Sequence, residues 1–157
     1  MLLELALFLH IVAALFWVGG MLFLTIVVVP FLGTLQDPRE KSRIYQVVGK
    51  RFRFFGWAAI IILLASGPVA LYTLYGLTPL SLADPAFRAT SFGRALTVKL
   101  ALVVIIVISS LVHDFYLGPK ARNSPNFSLY AKIFGRSNLV LALLIVLFAV
   151  FIRAGGI

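Results

Sequence analysis

Hydrophobic residues fall along the chain in four long runs. The first extends from Leu2 to Pro30 and is broken only by Glu4, His10 and Thr25. The second covers about Phe54 to Tyr75, the third about Ala95 to Leu117 and the fourth about Leu139 to Ile152. A bilayer core of about 30 Å needs roughly 20 helical residues, and the first three runs supply them directly. Phe127, Leu129, Tyr130, Ile133 and Phe134 lengthen the fourth, with Ser124-Pro125 as cap and first-turn pair. The pattern predicts an all-α protein with membrane helices over about 2–31, 54–76, 95–118 and 125–153, packed as one antiparallel four-helix bundle. The first run has no Lys or Arg before it and exceeds a signal-peptide h-region, so it is expected to persist as a helix.

Between the runs, Asp37-Pro38 predicts a short surface helix. Ile44, Val47 and Val48 would face lipid while Arg39, Lys41 and Arg43 face water. Asp84-Pro85 predicts a short helical turn, and Ser66-Gly67-Pro68 a kink in the second helix. No internal repeat is legible.

Composition agrees with a membrane protein and narrows the chemistry. Of 157 residues, 62% are hydrophobic and 12% charged. A soluble domain of this size has too much surface to hide that excess. The absence of cysteine excludes disulfides, thiolate metal sites and thiol nucleophiles. The net charge of +9 lies in the connections and reports topology, with no basic–aromatic pattern for nucleic acid. Residues 33–53 hold six Lys and Arg and residues 118–136 hold four; Arg88, Arg94 and Arg153 are the others outside the spans. The positive-inside rule therefore predicts a multi-pass protein of the cell (inner or plasma) membrane with both termini outside.

Ionisable groups within a span are functional candidates, because the bilayer penalises them. Here they are His10, Lys99, His113 and Asp114. Counting at 1.5 Å per residue puts His10 and Lys99 ~9–10 Å outside the bilayer centre and His113 ~10 Å inside it. On the first helix, Ala6, His10, Ala13, Ala14, Trp17, Gly20 and Met21 share one face, whose small residues admit a neighbouring helix or a flat cofactor. Copper(I) favours Cys and Met, and Met21 lies ~16 Å along the axis from His10. A b-type haem asks less: one axial His, a slot between helices and cations for its propionates. His10, Trp17 and Gly20, with Arg94, Lys99 and Arg153 toward the outer surface, make up that set. A second axial ligand from His10 of another protomer would make a homodimer. His113 and Arg136 make an inner candidate site, so His10 and His113 are the candidate metal ligands.

The segment His10-Ile-Val-Ala-Ala-Leu-Phe-Trp17-Val-Gly-Gly20 resembles the first-helix signature of the superfamily joining the copper-resistance protein CopD and the HemJ-type proteins. Lys99-Leu-Ala-Leu, His113-Asp-Phe-Tyr-Leu-Gly-Pro119 and Gly135-Arg-Ser-Asn138 resemble it too. The resemblance implies a four-helix membrane domain. On the CopD side it implies copper uptake or tolerance. On the HemJ side it implies a haem-associated protoporphyrinogen oxidase, whose first-helix His and third-helix Lys match His10 and Lys99. The HemJ stretch aromatic-Arg-x-x-Asn-Glu reads Phe-Gly-Arg136-Ser-Asn138-Leu here, without the glutamate. The leading expectation is a haem b-binding, cytochrome-like protein for electron transfer or small redox chemistry with a membrane redox partner. The alternatives are CopD-like copper transport or tolerance, and a scaffold without cofactor.

Overall fold

A computed structural model describes residues 1–121 and 124–157. Among the described residues there is no strand, and four helices are long and apolar enough to cross a membrane. They are α1 (Leu2–Thr34), α2 (Pro38–Tyr75), α5 (Ser91–Lys120) and α6 (Pro125–Arg153); α3 (Pro79–Ala83) and α4 (Pro85–Ala89) are short. The chain divides into two compact units, Met1–Tyr75 and Gly76–Ile157.

The first unit is a hairpin of α1 and α2. Its tight connection is set by Asp37, whose carboxylate accepts the Arg39 N–H at 2.8 Å, with Pro38 opening α2. The helices run antiparallel: His10 meets Gly67, Trp17 meets Gly56, and Gly20 meets Phe52. The expected surface helix and second span are one continuous helix of 38 residues. No proline interrupts it between Pro38 and Pro68, and each of the interior glycines Gly49, Gly56 and Gly67 costs only about 0.5–1 kcal/mol. The helix also continues through Pro68 and stops at Tyr75. Gly76 then takes the left-handed backbone (φ +64°) that ends helices.

The second unit begins with three polar caps in close succession. Thr78 and Ser81 form a reciprocal capping box on α3, Asp84 accepts the Ala86 N–H at 2.9 Å to start α4, and Thr90 accepts the Gly93 N–H at 2.9 Å to start α5. The third span therefore opens at Ser91, a turn earlier than its apolar run. Pro125 starts α6 where expected, although the Ser124 hydroxyl makes no capping bond. α5 and α6 are antiparallel: Tyr116 stacks edge-on against Phe127, His113 lies over Gly135, and Ser109 and Ser110 bond Asn138. The chain's last residues return to the start of α5, where the Ile157 N–H donates to the Ser91 carbonyl at 3.2 Å.

α1 and α5 share a construction that their sequences conceal. Each contains a π-helical stretch, Leu24–Val28 and Val112–Leu117, ending two residues before a proline, Pro30 or Pro119. A proline removes one N–H and crowds the carbonyl four residues back, and a widened turn relieves that crowding. Pro119 follows Pro30 by 89 residues, and the same interval relates buried Ala95 to buried Ala6, buried Ile106 to buried Trp17, and Lys99 to His10. His10 and Lys99 thus hold corresponding positions on the first long helix of each unit. Lipid-facing apolar residues interchange freely, which is why this correspondence is invisible as a repeat in sequence.

Candidate functional site

His10 is half-buried on α1, and its ring is fixed by α2. Nδ1 lies 2.9 Å from the Ser66 hydroxyl, and Gly67 leaves room for the ring, with Cε1 3.4 Å from where a Cβ would stand. The Ser66 hydroxyl donates its one hydrogen to the Ile62 carbonyl at 2.6 Å. Toward His10 it then accepts, so Nδ1 carries a ring proton.

The same face of α1 was expected to supply a cofactor slot. At three of its residues it packs on α2. Trp17 is buried with its indole over Gly56, and a side chain at Gly20 would run into the Phe52 ring. In this unit Gly20 therefore serves close helix approach. Ser66 is the partner that sequence reading missed, having been assigned only to a kink. The available signal was symmetry about the connection: His10 lies 27 residues before Asp37, and Ser66 lies 29 after it.

In the second unit, His113 sits within the π-helical stretch of α5. Its Nδ1 is 2.8 Å from the Asp114 carboxylate, and its Nε2 is 3.6 Å from the position of a Cβ on Gly135. Here too the oxygen partner holds Nδ1 and the other nitrogen points away from it. One turn back, Asn138 is buried between two hydroxyls. Its carbonyl oxygen accepts from Ser109 at 2.5 Å, and its amide donates to Ser110 at 3.3 Å. Buried hydrogen bonds of this kind join membrane helices at about 0.6–2 kcal/mol each. Arg136 is exposed beside this region.

Lys99 is half-buried on α5. Arg94 is exposed and is engaged locally, its guanidinium donating to the Ile157 carbonyl at 2.8 and 3.3 Å. Arg153 is exposed in the last turn of α6, where a cation complements the helix dipole. Among the described residues no group of three or more His, Cys, Asp or Glu side chains converges as a metal cage.

Comparison with known proteins agrees with this architecture. The pattern of the CopD family, copper resistance protein D, matches residues 46–152. That segment includes Ser66, Lys99, His113 and Asn138, whereas His10 precedes it. An uncharacterised protein of Aquifex aeolicus (strain VF5) is 39% identical over 153 residues, covering 97% of this chain and 96% of its own. No solved structure matches. With four membrane-crossing helices and a family match over more than half its length, this chain is a multi-pass membrane protein of the copper resistance protein D (CopD) family.

Proposed function

We propose that this protein handles copper within the membrane, in uptake or tolerance, with His10 and His113 as metal contacts. The observation that carries this reading is the shared state of the chain's two imidazoles. Each is held at Nδ1 by an oxygen, of Ser66 or Asp114. Metal-binding histidines are characteristically oriented in this way by an oxygen on the second nitrogen. Copper is here the cargo. A lone imidazole without cysteine holds Cu(I) weakly, which suits passage better than storage. Family membership supports copper as the metal.

A second reading, haem b on His10, is favoured by the donor set. One imidazole with its Nδ1–H bonded to a hydroxyl suffices for a proximal ligand, and Met21 lies eleven residues along α1. In that reading bound haem would supply one-electron chemistry, and this chain's part is to hold the iron through His10.

Proteoliposomes of the purified chain are expected to take up Cu(I) faster than empty vesicles, without a Soret band in the protein's spectrum. A Soret band with no copper flux would transfer the assignment to haem. Neither signal would leave only a cofactor-free scaffold.

The orientation belongs to the same proposal: both termini outside the cell membrane, with residues 33–53 and 118–136 in the cytoplasm. It rests on the concentration of Lys and Arg in those two connections. Reporter fusions are expected to show Ile157 outside and Ser42 inside. A cytoplasmic Ile157 reverses the assignment.

A further inference from the structure

We propose that the groove between α1 and α2 at the basic end of their hairpin binds an anionic phospholipid, with one acyl chain along Gly19 and the phosphate on Arg51. The groove has a volume of about 510 Å³ and is lined by Leu15, Phe16, Gly19, Phe23, Phe52 and Phe55 among others, with Arg51 its one charged residue. Its size falls in the range of small-molecule sites, and its walls are those an acyl chain requires.

The position of Arg51 argues for a lipid over a soluble ligand. At 1.5 Å per residue, α2 is about 57 Å long, yet its apolar part from Phe54 to Tyr75 covers about 33 Å, the thickness of one hydrocarbon core. Arg51 stands one turn beyond that apolar part, at the level of lipid headgroups, and it is exposed. The charge is complementary: Arg39, Lys41, Arg43, Lys50, Arg51 and Arg53 lie in this part of α2, against Glu40 alone. Neighbouring α1 continues past the groove with Ile26, Val27, Val29 and Phe31 exposed. An apolar surface beside a basic one is the arrangement that seats helices among anionic headgroups.

Glycine supplies the means of testing the groove itself. Nothing stands within 4 Å of a Cβ built on Gly19, so a larger side chain there occupies the groove without forcing the helices apart. The purified full chain in detergent is titrated with equimolar phosphatidylglycerol and phosphatidylcholine, and bound lipid is read by native mass spectrometry. The wild type is expected to retain phosphatidylglycerol at least fivefold over phosphatidylcholine. Arg51→Gln should lower that preference about fivefold, the contribution of one cation at a membrane surface. Gly19→Leu should remove the retained lipid of both headgroups, with circular dichroism confirming an unchanged helix content. Equal retention of the two lipids by the wild type overturns the proposal, and so does an unchanged preference in Arg51→Gln. Undiminished phosphatidylglycerol on a folded Gly19→Leu protein overturns the groove as the site.

Discussion

Replacing His10 by alanine is expected to abolish copper flux through the reconstituted protein, or haem retention in the second reading, while the chain still inserts and folds. The imidazole is half-buried and bonds the Ser66 hydroxyl across the α1–α2 contact, whereas the buried Ala6, Ala13, Trp17, Ala59 and Ile60 of that hairpin are untouched. A membrane hydrogen bond contributes roughly 0.6–2 kcal/mol, too little to unfold a helical pair of this length. Ser66→Ala is the more discriminating variant. It keeps the imidazole but removes the hydroxyl that fixes the proton on Nδ1. Loss of such an orienting partner typically lowers metal affinity about 10–100-fold, so flux at limiting copper should fall by that order and recover as copper rises. Ser66→Thr keeps a hydroxyl and should restore most of it. Metal flux or haem per protein that is unchanged in His10→Ala would remove His10 from the site altogether.

The two histidines were legible because a titratable side chain inside an apolar run stands out against its neighbours. Their partners were less so, for different reasons. Ser66 looks ordinary, since a serine inside a helix can satisfy itself on the carbonyl four residues back, and it does so here on Ile62. Only its second bond, across 56 positions, marks it, and that bond depends on the register of the hairpin. Asn138 and Ser109 could be placed near the inner histidine by helical spacing, but which oxygen accepts from which hydroxyl is a matter of helix rotation that no spacing determines.

The helix ends divided in a similar way. Apolar runs locate what lipid must surround, and all four correspond to long helices. They do not locate where a helix stops, which depends on caps and glycines in polar sequence. Hence α2 extends sixteen residues before its apolar start at Phe54, and α5 begins at Ser91 under the Thr90 cap. The π-helical stretches were out of reach for the same reason. Pro30 and Pro119 signal a backbone problem, but a kink, a break or a widened turn would each resolve it.

Gly93→Ala is expected to give the largest loss of stability of any glycine-to-alanine change within these helices. Gly93 is buried in the first turn of α5, and its N–H donates to Thr90 at 2.9 Å. A Cβ there would run into the main-chain carbonyl of Phe87, coming within 2.8 Å of its carbon and 2.9 Å of the Thr90 hydroxyl. The Phe87 group is backbone, held in turn by the Thr90 N–H at 3.1 Å and the Thr90 hydroxyl at 2.7 Å, so it cannot rotate aside as a side chain would. Relief requires moving α4 away from α5, which breaks the corner that starts the helix carrying Lys99 and His113. Forced overpacking of this kind costs about 1–3 kcal/mol, more than the roughly 0.5–1 kcal/mol that alanine gains over glycine inside a helix. Gly49→Ala isolates that gain. Nothing lies within 4 Å of its Cβ position, so it should raise the thermal midpoint slightly. Thermal unfolding of both variants in one detergent should move the midpoints in opposite directions. A midpoint for Gly93→Ala at or above that of the wild type would mean that the Phe87 carbonyl does not press against α5.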